Sequence, residues 1–286
     1  MKLIRHGKKG RELPGLVDLD GKLRDLSQMI GDIDARGLGD GVIDRIAALD
    51  PGKLPEIDPE TRLGPPLAGV GKIVCIGLNY SDHAEEAGMP IPSEPVVFMK
   101  SPTAISGPRD PVLYPPDASK LDWEVELAFA IGKTARHVAA EEAIGHIAGY
   151  TVLNDISERG YQLDRGGQWT KGKSYDSFCP IGPWLVTPDE IPRPNNLPIW
   201  LEINGKRFQN GNTDTMIFDV GYLVAYLSRF MTLLPGDIVT TGTPPGVGLG
   251  IRPEPLFLKI GDQMRLGIDG LGEQLLEVVA DKLVTS

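Results

Sequence analysis

The chain has 286 residues, of which 41% are hydrophobic and 24% charged. These values are typical of a soluble globular protein with either one large domain or a small domain followed by a larger one. The formal net charge of −10 disfavours nucleic acid as a partner, because its phosphates would be repelled. No stretch approaches the roughly 18 apolar residues of a membrane span, and the opening MKLIRHGKKG lacks the apolar segment of a signal peptide. We therefore expect a cytoplasmic protein without a membrane partner.

The N-terminal part has the pattern of a small α+β domain. Residues 14–28 form a predicted hairpin around the turn dipeptide Asp20-Gly21, and a shared apolar face predicts a helix over 41–49. The following stretch, LDPGKLPEIDPETRLGPP, contains five prolines, which would interrupt a helix or a central strand. We predict a small domain over residues 1–66 that ends in this proline-rich linker, and a larger domain over 67–286.

Strand patterns dominate the larger domain. Helical patterns occur at 140–146 and, most clearly, at 219–232. Because helices do not alternate regularly with strands, the pattern excludes a doubly wound fold and predicts an α+β fold that is mainly β. Cys75 and Cys179 lie in apolar runs and are expected to be buried free thiols. The predicted strands lie at 73–76, 96–98, 150–153, 237–241 and 262–279, with a hairpin over 198–208 around Asn204-Gly205.

The segment DWEVELAFAIG, residues 122–132, places two carboxylates on one face of a strand. Its apolar residues alternate as in a half-buried strand, and Glu124 and Glu126 share the opposite phase. One interpretation is that the shared face is exposed to solvent. The other is that a divalent cation lies on it, because neighbouring buried carboxylates repel each other unless a positive charge lies between them.

Asp155 directly follows the strand pattern at 150–153 and is a candidate third ligand. Magnesium and manganese prefer oxygen ligands, and a carboxylate at a strand end can supply one. The alternative is a helix N-cap, because the segment Ile-Ser-Glu-Arg follows Asp155.

The segment NYSDHAEEAG, residues 79–88, carries a candidate general base. His83 and Glu86 would share one face of a short helix, where the carboxylate holds the imidazole in the tautomer that accepts a proton from water. The alternative is an exposed helix with an incidental histidine. Because the helix is short, polar and flanked by glycine-bearing loops, we expect residues 80–90 to be mobile until ligand binds.

Two further segments carry polar groups with open interpretations. In KGKSYDSF, Lys171 and Lys173 are in phase, so either could face a site, although such lysines are usually solvated. The glycine-rich stretch TGTPPGVGLG, residues 241–250, lacks the spacing of a phosphate-binding loop. It is either a tight turn or a set of backbone donors that lines a carboxylate pocket together with Thr243.

Five segments occur in a characteristic order: GLNYSDHAEEAG, DWEVELAFAIGK, NDISERGYQ, KGKSYDSFCPIGP and GDIVTTGTPPGVG. Together they resemble the fumarylacetoacetate hydrolase family over roughly residues 70–280. The opening of the chain also resembles the small leading domain of longer bacterial members. The resemblance implies a mixed β-sandwich roll with a small N-terminal domain, usually assembled as a homodimer.

The resemblance also implies roles for individual residues. The metal triad of the family falls on Glu124, Glu126 and Asp155 and would hold Mg²⁺ or Mn²⁺. Its histidine–glutamate dyad falls on His83 and Glu86, and its catalytic lysine on Lys173 rather than Lys171. The positions expected to bind substrate are Tyr80, Arg159, Gln162 and Thr243.

The activity implied by the resemblance is hydrolysis of a carbon–carbon bond in a 2,4-dioxo acid, which gives pyruvate and a second acid. We expect the substrate to be a 2,4-dioxo-3-deoxy sugar acid, such as a derivative of fuconate or rhamnonate. The alternatives are decarboxylation of oxaloacetate and isomerisation or decarboxylation of 2-hydroxyhepta-2,4-diene-1,7-dioate. Ureidoglycolate lyase activity and non-catalytic binding of a 2-oxo acid rank below these.

Overall fold

The computed structural model describes residues 1–39, 41–86 and 88–282. Strands dominate these residues and the helices are short, which confirms the predicted α+β, mainly β fold. The strands are β1 (Lys2–His6), β2 (Leu13–Val17), β3 (Leu23–Asp25), β4 (Ile73–Gly77), β5 (Val96–Lys100), β6 (Ile105–Ser106), β7 (Val112–Tyr114), β8 (Leu121–Asp122), β9 (Val125–Ile131), β10 (Ile147–Asn154), β11 (Ser157–Glu158), β12 (Cys179–Pro180), β13 (Leu185–Val186), β14 (Pro198–Ile203), β15 (Lys206–Asn212), β16 (Ile238–Thr240), β17 (Gln263–Ile268) and β18 (Gly272–Ala280). The α-helices are α1 (Val42–Ala47), α2 (Ser81–Glu86), α3 (Arg159–Leu163), α4 (Thr170–Lys173) and α5 (Val220–Leu227). Short 3₁₀ helices span Pro51–Lys53, Pro102–Ala104, Ala143–His146, Pro188–Glu190, Thr213–Thr215 and Gly248–Gly250.

The larger sheet contains nine strands in the order β3-β2-β1-β13-β10-β9-β16-β4-β5. Neighbouring strands run antiparallel, except that β16 and β4 run parallel. Every residue of the adjacent strands β9 and β10 is buried. A strand covered on both faces needs apolar residues on both, so these two strands form the centre of the core.

A second sheet covers one face of this centre. Its five strands follow the order β15-β14-β17-β18-β7, with β18 and β7 parallel. Strands β14 and β17 lie against β9, and β18 lies against β10. The side chains between the two sheets form one continuous hydrophobic cluster, as in a β-sandwich.

The first three strands continue the larger sheet. Strand β1 pairs with β13, where Leu3 lies opposite Leu185. The predicted N-terminal hairpin is formed by β2 and β3, and the predicted first helix is α1. The domain boundary between residues 66 and 67 stays a prediction, and strands from both sides of it share one sheet.

Two predicted helices are shorter in the structure. Helix α5 begins after Asp219, whose side chain caps the amide of Tyr222, and it ends at Leu227 rather than near 232. The Ser228 hydroxyl accepts a hydrogen bond from the amide of Val138, which ties the end of the helix to a neighbouring segment. Only a 3₁₀ turn forms within 140–146.

The fold also contains two smaller features that the sequence predicts. The hairpin around Asn204-Gly205 is present between β14 and β15. Cys75 and Cys179 are buried free thiols, as predicted. Among the described residues, no helix combines the length and the apolar character needed to cross a membrane.

Candidate active site

The two glutamates of the ExE segment are buried at the start of β9. Glu124 lies just before this strand and is 7% exposed, and Glu126 lies within it and is 1% exposed. The alternative of a solvent-exposed face is therefore wrong. The amide of Asp155, directly after β10, donates to the carbonyl oxygen of Glu124 at 2.8 Å. One carboxylate oxygen from each of the three residues lies within 4.8 Å of the others.

Asp155 does not cap the following helix. Helix α3 begins at Arg159, and its N-cap is Glu158, which accepts from the amide of Tyr161 at 2.6 Å. The Asp155 carboxylate instead accepts from two buried ammonium groups, Lys100 at 2.5 Å and Lys173 at 2.7 Å. The interpretation of Asp155 as an N-cap is therefore wrong, and its side chain belongs to the buried cluster.

Basic side chains neutralise much of this negative charge. Lys173 Nζ bridges Glu124 Oε2 and Asp155 Oδ2, at 2.7 Å each. Arg159 Nη2 donates to Glu124 Oε1 at 2.6 Å, and its Nε donates to Asp122 Oδ2 at 2.8 Å. Lys171 lies outside the cluster, because it is exposed and donates to the carbonyl of Arg165. Of the two lysines in phase, the structure brings only Lys173 to the triad.

The members of the cluster differ in acidity. Burial alone would raise the pKa of Glu124, but the charges of Arg159 and Lys173 outweigh burial and hold this pKa well below its usual range. Burial and the charges of Asp155 and Glu124 raise the pKa of Glu126 well above its usual range. Burial would lower the pKa of Lys173, but the charges of Asp155 and Glu124 raise it overall. Lys173 therefore stays cationic, and Glu126 retains its proton to a higher pH than an ordinary glutamate does.

The three carboxylates fit a divalent cation. All the donors are oxygen atoms, the ligand type that Mg²⁺ and Mn²⁺ prefer. Glu126 accepts from the amide of Gly242 at 2.9 Å, and among the described residues it forms no ion pair with a lysine or an arginine. A buried carboxylate that lacks a basic partner beside two others is the arrangement that a metal ion would compensate.

His83 and Glu86 approach the site from α2. His83 Nδ1 lies 3.0 Å from Glu86 Oε2, which leaves Nε2 available to water or substrate. Glu86 Oε1 also accepts from the amide of Gly246 at 3.0 Å, so one carboxylate orients the imidazole and contacts the glycine-rich loop. Gly246 has a φ of +101°, and a Cβ there would collide with the carbonyl of Phe208. Only glycine fits this position.

The residues that the sequence predicts to bind substrate differ in their contacts and in whether they line the cavity. Gln162 accepts from Arg159 Nη1 at 2.9 Å. The Thr243 hydroxyl donates to the carbonyl of Val125 and accepts from Gln209, at 2.8 Å each, so it mainly holds the loop in place. Tyr80 is fully buried and is not among the residues that line the cavity. The cavity has a volume of about 340 Å³, and its polar lining includes His83, Glu86, Glu124, Glu126, Arg159, Gln162, Lys173 and Thr243.

Two buried charged residues of the site were not anticipated from the sequence. Lys100 ends β5 and pairs with Asp155. Asp122 accepts from Arg159 and from the amides of Gly248 and Leu249, at 2.6 and 3.0 Å. The sequence carries a pattern for each residue, because Lys100 directly follows the apolar run VVFM and Asp122 lies two positions before Glu124. Neither pattern predicts burial, since a charged residue at a strand end is more often solvated.

The chain is similar to several known proteins. A protein of Burkholderia ambifaria, provisionally named a hydrolase, is 56% identical over 275 residues, which cover 96% of this chain and 98% of that protein. The structure of fumarylacetoacetate hydrolase from Exiguobacterium antarcticum is 35% identical, with a TM-score of 0.86 and coverage of 98% of this chain and 100% of that chain.

Two other similar structures have more specific descriptions. Maleylpyruvate hydrolase from Sphingobium sp. SYK-6, in complex with manganese(II) and pyruvate, is 33% identical, with a TM-score of 0.82 and coverage of 99% of this chain and 100% of that chain. The 2-hydroxyhepta-2,4-diene-1,7-dioate isomerase from Mycobacterium marinum is 34% identical, with a TM-score of 0.74 and coverage of 98% and 99%. Residues 72–279 match the family described as fumarylacetoacetate (FAA) hydrolase C-terminal. The chain therefore belongs to the fumarylacetoacetate hydrolase family.

Proposed function

We propose that this protein is a metal-dependent hydrolase that cleaves a carbon–carbon bond in a 2,4-dioxo acid and releases pyruvate and a second acid. The observation that carries the proposal is the position of the His83–Glu86 pair in the same cavity as Glu124, Glu126 and Lys173. Hydrolysis needs a group that activates water beside a group that accepts negative charge, and this cavity offers candidates for both.

Glu124, Glu126 and Asp155 would hold the cation, which we propose to be Mg²⁺ or Mn²⁺. When bound, such an ion supplies electrostatic stabilisation of the negative charge that develops on the 2-oxo oxygen. The manganese and pyruvate in the related maleylpyruvate hydrolase support this proposal.

His83 is the proposed general base. In this mechanism the Nδ1–H of His83 donates a hydrogen bond to Glu86 Oε2. The unprotonated Nε2 can then take a proton from water. The water oxygen attacks the C4 carbonyl, the C3–C4 bond breaks, and its electron pair becomes the enolate of pyruvate. The enolate then takes at C3 the proton that His83 removed from water, which returns the imidazole to its neutral form.

Lys173 is better suited to charge neutralisation than to proton donation. It bridges two carboxylates, and their charges raise its pKa, so the loss of its proton near neutral pH is unfavourable. We propose that it holds Glu124 and Asp155 in place and offsets negative charge on the substrate. Arg159 and Gln162 complete the same wall of the cavity.

Isomerisation of a 2-hydroxydienoate is the second candidate, and the related Mycobacterium marinum isomerase favours it. Such a reaction would use His83 as a proton shuttle and would need no attacking water. Decarboxylation of oxaloacetate would use the triad but not the histidine. The homodimer and the cytoplasmic location predicted from the sequence remain part of the proposal.

The test is a panel of 2,4-dioxo acids, oxaloacetate and a 2-hydroxydienoate, each incubated with Mg²⁺ or with EDTA. Pyruvate release from a 2,4-dioxo acid that requires the metal and exceeds the other reactions in kcat/KM is the expected result. Faster release of CO₂ from oxaloacetate, or isomerisation without cleavage, would replace hydrolysis with the corresponding alternative.

A further inference from the structure

The cavity changes in character from its base to its mouth. At the base, Glu126 and Lys173 are almost fully buried. Toward solvent the lining becomes apolar, with Met89 47% exposed and Leu163 46% exposed. Because exposure increases along this path, a substrate whose 2-oxo acid end lies on the triad would extend its tail past these side chains.

Apart from the His83–Glu86 pair, Arg252 is the charged side chain at the mouth. It lines the cavity and is exposed, and its Nη1 donates to three successive carbonyl oxygens, those of Leu249, Gly250 and Ile251, at 3.3, 3.1 and 3.2 Å. These contacts engage Nη1, and within the described part of the chain Nε and Nη2 donate to no protein acceptor, so both can bind a ligand. Within the described part of the chain Arg252 forms no ion pair, whereas Arg159 and Lys173 are committed to buried carboxylates.

The apolar part of the outer wall offers little to a tail that carries hydroxyl groups. The Thr243 hydroxyl already donates to Val125 and accepts from Gln209. Trp169 and Leu249 add apolar surface beside Leu163. The sugar-acid tail expected from the sequence would lose hydrogen bonds to water on entering this wall, at a cost in binding free energy.

We infer that Arg252 is a specificity-determining residue that binds a second carboxylate at the far end of the substrate. On the proposed function, on which this inference rests, the preferred substrate is a 2,4-dioxo dicarboxylic acid with a tail that lacks hydroxyl groups. The apolar side chains cover the carbon chain, and the guanidinium recognises the terminal carboxylate through charge-assisted hydrogen bonds.

Binding of unreactive analogues tests this assignment independently of turnover. A short series of 2-oxo dicarboxylates is titrated by calorimetry with Mg²⁺ present, each paired with the 2-oxo monocarboxylate and the hydroxylated 2-oxo acid of equal length. At the best length, the dicarboxylate should bind about tenfold more tightly than the monocarboxylate, the lower end for a charged contact because Arg252 is exposed. The hydroxylated acid should bind most weakly.

The variant Arg252→Gln should bring the ratio between dicarboxylate and monocarboxylate close to one. Arg207→Gln is the matched control, because this exposed arginine pairs with Glu202 away from the cavity, and it should leave the ratio unchanged. A ratio near one in the original protein, the same ratio in Arg252→Gln, or tightest binding of the hydroxylated acid would each overturn the inference.

The same acids in 2,4-dioxo form separate this inference from the proposed function. If none of them releases pyruvate while the binding ratio depends on Arg252, the hydrolase proposal fails and the specificity assignment stands. If they release pyruvate without preference for the dicarboxylate, the hydrolase proposal stands and the assignment to Arg252 fails.

Discussion

At the base of the cavity, Glu124, Glu126 and Asp155 lie at the ends of two central strands, and lysine and arginine side chains hold two of them from several directions. The mouth is different. There, His83 lies on a six-residue helix whose link to the opposite loop is the contact between Glu86 and the amide of Gly246.

This difference separates two tasks. The base must hold like charges close together, which requires rigid strands and compensating cations. On the proposed function, the mouth must admit substrate and then complete the site, which a short helix between loops can do at low cost. We therefore expect changes at the base to affect metal binding and all chemistry, and changes at the mouth to affect individual steps.

The largest expected effect comes from Glu126→Gln. The substitution preserves shape but removes the one carboxylate of the triad that forms no ion pair among the described residues, so it should abolish metal-dependent turnover and weaken Mg²⁺ binding by at least about 100-fold. Activity and calorimetry measure both effects. Glu277→Gln, on the exposed face of β18, is the control and should change neither. Full activity of Glu126→Gln in EDTA-treated buffer would refute the triad.

The next effect separates the mouth from the base. His83→Ala should lower hydrolysis by roughly 10²–10⁴-fold, the usual contribution of a general base. Oxalate binding and oxaloacetate decarboxylation, which depend on the triad, should fall much less. His146→Ala removes a half-buried histidine outside the cavity whose side chain, among the described residues, hydrogen-bonds the carbonyl of Lys133, and it should have no effect. Equal losses in both reactions would mean that His83 orients substrate rather than water.

A pH effect of intermediate size should arise at the base. Burial and the charges of Asp155 and Glu124 raise the pKa of Glu126, so a metal ion must displace its proton. Below this raised pKa, Mg²⁺ affinity should fall about tenfold for each unit of decrease in pH. Calorimetry in buffers of different ionisation enthalpy should detect the released proton.

In the metal-free protein, the raised pKa of Glu126 has the opposite effect on stability: the free energy of unfolding decreases as pH rises, whereas Mg²⁺ affinity increases. The raised pKa of Glu126 contributes stability below the ordinary carboxyl range, and this contribution is lost as pH rises through the raised pKa. Thermal unfolding without metal should show this loss, and Glu126→Gln should lack it. A Mg²⁺ affinity that does not change with pH would contradict the assignment of Glu126 as a metal ligand.

The smallest effect is expected from loosening α2. The Thr215 hydroxyl shares its one proton between Asp82 Oδ1 at 3.2 Å and the carbonyl oxygen of Asn212 at 3.1 Å, and Thr215→Val removes this link to the helix that carries His83. Loss of one such hydrogen bond, about 0.5–1.5 kcal/mol, should lower kcat/KM by about two- to tenfold without changing metal affinity. Thr103→Val, which removes an exposed hydroxyl bonded to Ser101, is the control. A change in metal affinity would show that mouth and base are not separable.

The sequence alone predicted more of the base than of the surroundings that support it. Glu124 and Glu126 share a strand face, and Asp155 follows an apolar strand, so local patterns made all three candidates, and the family resemblance grouped them as one triad. Lys100 pairs with Asp155 across 55 positions, and Gln209 reaches β9 across 84. Such pairs depend on how distant strands meet, which neither periodicity nor spacing encodes.

The choice between Lys171 and Lys173 shows the same limit. The two lysines lie in the same phase of the sequence pattern, so the family resemblance rather than the pattern favoured Lys173. The two are separated by the short helix α4, which buries Lys173 and leaves Lys171 at the surface. The sheet pairing of β1 with β13 was likewise not predictable, because it joins strands that lie far apart in the chain.

Gly246 has a consequence for how such an enzyme can diverge. The donor that receives Glu86 is a backbone amide at a position where any side chain would collide with Phe208, so no tolerated substitution can remove it. The apolar wall at the mouth, formed by side chains such as Met89 and Leu163, has no such protection. On the proposed function, we therefore expect evolutionary variation in the side chains that contact the substrate tail, whereas the path of the main chain preserves the orientation of His83.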